Sequence, residues 1–192
     1  MSGRRETTRL AVPVGAHDHV QGLAGAPVTL VEYGDYECPS CGAAYPIVKE
    51  VQRRLGAQVR FVFRNFPLTT PHPHAQHAAE AAEAAGAQGR FWPMHDLLFE
   101  HQGALTDAAL VGYAKALDLD TARFADNLRQ HRYAPRVRDD VAGGIQSGVD
   151  GTPTFYINGA RHDASYDLET LLAAVDAAAA AGPRRTVARG EG

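Results

Sequence analysis

Apolar and polar positions follow two rhythms along this chain. The run Pro-Val-Thr-Leu-Val-Glu-Tyr from Pro27 to Tyr33 is apolar and β-branched, with the length of a buried strand. Behind it Ile47, Val48, Val51 and Leu55 recur at helical spacing, and Gly56 stands where helices commonly stop. Val59 to Phe66 reads as a second strand closed by Pro67. Strand, helix, strand is a βαβ unit, which implies a parallel pair and a right-handed crossover.

From about His74 to Val149 the rhythm is helical throughout. An Ala/Glu run leads to Gly86, and Phe91 to Gln102 places Phe91, Met94 and Leu98 on one face. Leu110, Tyr113, Ala114 and Leu117 follow a Thr106 cap, a short helix surrounds Phe124 and Leu128, and Val137, Val141 and Ile145 follow Pro135. Strand character returns at Thr154 to Ile157, Asn158-Gly159 favours a type I′ hairpin turn, and Ala160 to His162 pairs back. A last helix carries Leu168, Leu171, Leu172 and Val175 on one side. The order predicts an α/β fold in which a helical block interrupts a sheet.

The ends lack these rhythms, so residues 1–20 are expected to be a flexible N-terminal segment and residues 183–192, rich in Gly and Arg, a disordered tail. Between them residues 21–182 form one domain with its helical insert at about 70–149, a size that buries one core. A net charge of -3 without a basic stripe argues against nucleic-acid or membrane-surface partners. The positive start is interrupted by His17, Asp18, His19 and Gln21, so no signal peptide is read and a cytoplasmic location is expected. Leu171 to Ala181 is too short to span a membrane and carries Asp176.

The chain has 2 cysteines, Cys38 and Cys41, in Cys-Pro-Ser-Cys. A disulfide between them closes so small a loop that it stabilises little, which leaves redox activity or metal binding. Zinc normally needs four ligands, there is no second cysteine pair, and His72, His74 and His77 are not spaced as a ligand set, so neither metal nor cofactor is expected. Between a strand and an amphipathic helix, Cys38 falls at the helix N-terminus, where unpaired N–H groups lower a thiol's pKa to roughly 3.5–7.5. Pro39 suits the first helical position, Ser40 follows, and Cys41 lies one turn on and deeper, able to attack a mixed disulfide at Cys38.

Glu32, inside the first apolar run, is either a strand-edge acid or a buried carboxyl of raised pKa that moves protons for the dithiol. Asp35 and Glu37 read as solvated acids that oppose the thiolate if close. His72, His74, His77, His95 and His101 read as surface or helix-end residues, and Trp92 as packing within the insert.

These residues resemble the DsbA-like branch of the thioredoxin-fold proteins, in which a helical subdomain is inserted into the thioredoxin core; the likeness covers roughly residues 20–182. Glu32, six before Cys38, matches the family's buried acid; Pro46, eight after it, matches the proline of the active-site helix; Gly151-Thr152-Pro153 matches the cis-proline loop. Phe91 to Asp96 and His72-Pro-His74-Ala resemble the soluble subgroup that is also fused to some sodium/proton antiporters. The resemblance implies thiol-disulfide exchange at Cys38 with cysteine-containing proteins or peptides, which would pair with Thr152 beside Pro153. It also implies glutathione or another thiol as redox partner. A cis bond before Pro153 would turn the Thr152 backbone toward such a strand. Ser40 departs from the best-known periplasmic members, which carry His there, and this points to a weaker oxidant. The same fold also serves as a peptide-binding or chaperone module, and as a kappa-type glutathione transferase; the latter has Ser in place of the dithiol.

Overall fold

The side chains of the central strands alternate between two faces, and each face has its own cover. The computed structural model describes residues 8–182. Its strands are β1 (His19–Gln21), β2 (Val28–Gly34), β3 (Val59–Asn65), β4 (Thr154–Ile157) and β5 (Ala160–His162). Its helices are α1 (Pro39–Leu55), α2 (Ala75–Gly86), α3 (Phe91–Glu100), α4 (Asp107–Ala116), α5 (Thr121–Arg129), α6 (Ala134–Gln146) and α7 (Leu168–Ala181). The sheet order is β1-β3-β2-β4-β5. β2 and β3 are parallel, with Leu30 opposite Phe61 and Glu32 opposite Phe63, while β4 runs antiparallel to β2 and β5 to β4.

On one face Val28, Leu30, Phe61, Phe63, Phe155 and Ile157 pack with Val48 and Val51 of α1 and Leu171 and Val175 of α7. That core runs on without a break into the insert, through Met94 and Leu98 of α3, Leu110 of α4 and Phe124 of α5. At its centre α2 buries eight consecutive residues, Ala78 to Ala85, all alanine but for Glu80 and Glu83, since small side chains let neighbouring helices approach from all sides. The other face holds Val31, Tyr33, Val62 and Tyr156, covered by Leu10, Val14 and Val141.

Four expectations are corrected. Residues 8–20 are not loose: β1 pairs antiparallel with β3, Leu10 N–H donates to the Gly159 carbonyl at 2.9 Å, and Ala11 N–H to Ser147 Oγ at 3.0 Å. The physical reason is Arg64 on β3, which is 3 % exposed and needs acceptors on its guanidinium. Asp18 supplies two at 2.8 and 2.9 Å, the Val12 and Pro13 carbonyls two more, and the Tyr33 hydroxyl another. Such polar anchoring carries no periodicity. Residues 1–7 and the expected disordered tail 183–192 lie outside the described residues.

Ile145 is 64 % exposed rather than on the packed stripe of α6. The stripe passes from Val137 and Val141 to Gly144, where a Cβ would stand 2.7 Å from the Phe66 ring and 3.1 Å from Tyr33. His95, expected near the surface, is 3 % exposed, and Trp92 reaches beyond the insert to the Phe61 ring of β3, 5.7 Å away.

Gly144→Ala is expected to destabilise the protein by roughly 1–3 kcal/mol, because the added Cβ would force the buried Phe66 ring or the helix to shift. Ile145→Asn should change stability by less than about 0.5 kcal/mol. Urea unfolding of both variants checks the pair, and the reverse order would overturn this packing of α6.

Candidate active site

β2 ends at Gly34 and α1 begins at Pro39, so four residues turn the chain at the edge where the sheet, α1 and the insert meet. Cys38 is the N-cap of α1, with φ -71° and ψ 121°, and Pro39 takes the first helical position, as its missing N–H allows. Ser40 is exposed in the first turn. Both cysteines are free; Cys38 keeps 6 % of its surface and Cys41 none. The Cys38 thiol donates to the Thr152 carbonyl at 3.5 Å, and Asp35 N–H donates to Cys41 Sγ at 3.4 Å. The Thr152–Pro153 bond is cis.

The electrostatics separate the two sulfurs. Cys38 is pulled down to about 5, first by its hydrogen bond with the Cys41 thiol; burial opposes this, and Thr152 and the backbone N–H groups of Cys41 and Ser40 add to it. Burial pushes the Cys41 thiol far above the usual range, with Cys38 and Glu32 acting in the same direction. Near neutral pH the outer sulfur is therefore a thiolate and the inner one a thiol.

Glu32 lies on the α1-facing side of β2, 2 % exposed, opposite Phe63 on one neighbour and Phe155 on the other. Its Oε1 has no hydrogen-bond partner among the described residues. Burial raises its carboxyl to about 8, and the charge of Cys38 adds to the effect.

Asp35 and Glu37 are not solvated opponents of the thiolate. Asp35 is 1 % exposed and its carboxylate is fully engaged, by Glu37 N–H at 2.8 Å, Leu68 N–H at 2.8 Å and His72 Nδ1 at 2.7 Å. Burial alone would lower the His72 pKa, but the hydrogen bond and charge of Asp35 outweigh it and raise it. Glu37 pairs with His74 through both its N–H and its Nδ1. Two imidazoles thus answer two carboxylates beside the dithiol.

From the insert side, Tyr36 is buried against Phe63, His95 and Phe99, and its hydroxyl meets His95 Nδ1 at 3.0 Å. Burial depresses His95 to about 3, so the ring is neutral. Gln102, just past α3, donates its side-chain amide to the Tyr36 and Cys38 carbonyls. Tyr36, His95 and Gln102 belong to no spacing motif; the one local signal for them is Gly42, a glycine placed inside an otherwise good helix. Among the described residues no group of three or more His, Cys, Asp and Glu is arranged to hold a metal ion, and no helix is long and apolar enough to cross a membrane.

A strand-helix-strand unit, a helical insert and a returning hairpin and helix, with a dithiol at the first helix N-terminus, define a protein of the DsbA-like thioredoxin fold. The thioredoxin family model matches residues 15–177, and the chain belongs to that family. Among solved structures it is similar to BdbD from Bacillus subtilis, with a TM-score of 0.79 and 27% identity over 85% of this chain and 94% of that one. A thioredoxin-like oxidoreductase from Silicibacter pomeroyi gives a TM-score of 0.73 and 28% identity over 85% of this chain and 93% of that one. The α-DsbA1 protein of Wolbachia pipientis, at 17% identity, shares the fold, with a TM-score of 0.77 over 90% of this chain and 95% of that one. The Na(+)/H(+) antiporter NhaA 1 of Salinispora arenicola is 56% identical over 170 residues, which are 88% of this chain and 26% of that protein. The chain thus spans about a quarter of the length of the curated relatives it matches.

Glu32 gives the site a pH signature. Its folded pKa of about 8 lies above the ordinary value of 4.5, so its contribution to stability is complete below about 4.5 and is lost as pH rises through 8. Glu32→Gln does not ionise and escapes that loss. Its stability advantage over wild type, in the reduced state, should grow from about pH 5 to pH 8 and then level off, reaching a few kcal/mol at most. Urea unfolding across pH checks this; a pH-independent difference would mean that Glu32 ionises at its ordinary value.

Proposed function

We propose that this chain is a thiol-disulfide oxidoreductase that exchanges the Cys38–Cys41 dithiol with disulfides of cysteine-containing proteins or peptides, or of small thiols such as glutathione. The observation that carries the reading is the pairing of a nearly buried Cys38 thiolate, held at about 5 at a helix N-terminus, with a Cys41 thiol buried directly behind it.

The Cys38 thiolate attacks one sulfur of a substrate disulfide; the S–S bond breaks, a mixed disulfide forms at Cys38, and the other substrate sulfur leaves as a thiolate. Cys41 must then lose its proton, which its burial resists. Glu32, whose Oε1 has no partner among the described residues, is held at about 8 and is largely protonated near neutral pH; its smaller ionised fraction is the acceptor for that proton. The Cys41 thiolate attacks Cys38 Sγ, the mixed disulfide breaks, and the second substrate sulfur departs. Two electrons have moved from the dithiol to the substrate, and the reverse sequence oxidises a substrate dithiol. Thr152 and Pro153 border Cys38, and a substrate strand laid along Thr152 would bring its sulfur to the thiolate.

Limiting alkylation of the reduced protein should label Cys38 almost alone, and Cys41→Ser should accumulate mixed disulfides at Cys38. Labelling chiefly at Cys41, or peptide binding that survives replacement of both cysteines by Ser without any exchange activity, would favour a binding module instead.

The reading carries a reducing, cytoplasmic setting with it. A pKa of about 5 lies between those of roughly 7 and 3.5 that accompany reducing and strongly oxidising dithiols of this fold. Ser40 offers one neutral hydrogen bond where His would add positive charge. Ser40→His should lower the Cys38 pKa and raise the reduction potential together, about 30 mV for each tenfold change in the equilibrium with glutathione. A wild-type potential already near about -120 mV would remove the case for a reducing role.

A further inference from the structure

We propose that Gln102 is a positioning residue for Cys38, clamping the active-site loop to the insert so that the sulfur stays at the helix N-terminus; this rests on the exchange reading above. Gln102 follows α3 and is half-buried. Its Nε2 donates to the Tyr36 carbonyl at 2.8 Å and to the Cys38 carbonyl at 2.9 Å. An amide turned the other way would set its oxygen against two carbonyl oxygens, so the acceptors fix its orientation. The Cys38 carbonyl also accepts the Gly42 N–H at 3.0 Å, the bond that opens α1. One side chain of the insert therefore holds the peptide unit before Glu37 and the one after Cys38, and joins the first turn of the active-site helix.

Gly42 is the complementary half of the clamp. A Cβ at this position would lie 2.0 Å from Gln102 Oε1 and 2.7 Å from its Cδ. Glycine is a poor helix residue, and Gly42 is not among the positive-φ glycines, so its use here is to admit the Gln102 amide. Gln102 in turn is carried by a rigid element, because Leu98 and Phe99 of α3 are buried and the Phe99 ring lies 4.9 Å from that of Tyr36.

The chemical consequence concerns the cap. Cys38 caps α1 in an extended conformation without a side-chain cap hydrogen bond, and at this helix end the N–H groups of Cys41 and Ser40 add to the thiolate's stabilisation. Fixing the Tyr36 and Cys38 carbonyls limits rotation of the Glu37–Cys38 segment that carries this cap. With the clamp gone, the sulfur samples orientations that lose those N–H groups, and the thiolate becomes less favourable.

The test compares wild type, Gln102→Ala, Gly42→Ala and the double variant by ultraviolet thiolate absorbance against pH and by the rate of Cys38 alkylation, with thermal unfolding recorded for each. Both single variants should move the Cys38 midpoint up by about half a unit and slow alkylation below it about threefold, the scale of one neutral hydrogen bond. The double variant should move it no further than either single one, since each breaks the same contact. Gln102→Met keeps the side-chain length without the donors and replaces the alanine variant should that fail to fold. An unchanged midpoint in a folded Gln102 variant, or single shifts that add, would overturn the clamp. A wild-type protein without a low-pH Cys38 thiolate would instead defeat the exchange reading itself, so the two failures are separable.

Discussion

Water is kept from the space under the first turn of α1, and most of the site's chemistry depends on that exclusion. Cys41 has no exposed surface and Glu32 has 2 %. An ordinary carboxyl beside the thiol would be ionised and would repel the Cys38 thiolate. Burial between Phe63 and Phe155 holds Glu32 at about 8 instead, so near neutral pH it is largely uncharged. The thiolate then sits above two protonated neighbours and receives a hydrogen bond from one of them. Position on the helix supplies part of this stabilisation, and the dry floor beneath preserves it.

The second constraint is that a site rich in acids must not spend their charge on the sulfur. Asp35 and Glu37 precede Cys38 directly, yet each carboxylate is taken up by a backbone N–H and a histidine from the loop after β3. The same principle acts deeper in the molecule. Asn65 at the end of β3 donates its side-chain amide to Glu83 of α2 and its backbone N–H to Asp140 of α6, and His19 of β1 meets the other oxygen of Glu83. Buried carboxylates thus tie the insert to both strands at that edge of the sheet, and each link demands a satisfied partner.

Periodicity made most of the fold legible. β2, α1, β3, the hairpin of β4 and β5, and α7 are all amphipathic or apolar in pattern, and the dithiol is marked by its own spacing. What the pattern left hidden is held by long-range polar bonds: residues 8–21 by Arg64, the loop by Asp35 and Gln102. Gly144 shows a related gap, because a helix that packs through glycine offers no apolar residue to read, and Ile145 beside it suggests the wrong face. His95 was misread for a different reason. A histidine in sequence reads as polar, but its burial beside Phe63, Phe91 and Phe99 makes it a ring of the core.

That burial also decides which groups answer to pH. His95 faces Lys49 and His19 as well as the aromatic rings, and burial followed by those two charges depresses it to about 3. It stays neutral wherever the fold is stable, and its Nδ1 remains available to the Tyr36 hydroxyl, whose own ionisation burial strongly disfavours. The Tyr36–His95 contact is therefore a constant, holding the loop to α3 without titrating. His72 differs in being less deeply buried and in its partner: the hydrogen bond and charge of Asp35 raise it, where burial lowers His95. Protonating His72 places a cation on Asp35, whose own N–H contacts Cys41, so loss of that proton changes the charge balance at the root of the dithiol. His72, beside Asp35, is thus placed to feel the charge at the sulfurs, while His95 supplies shape.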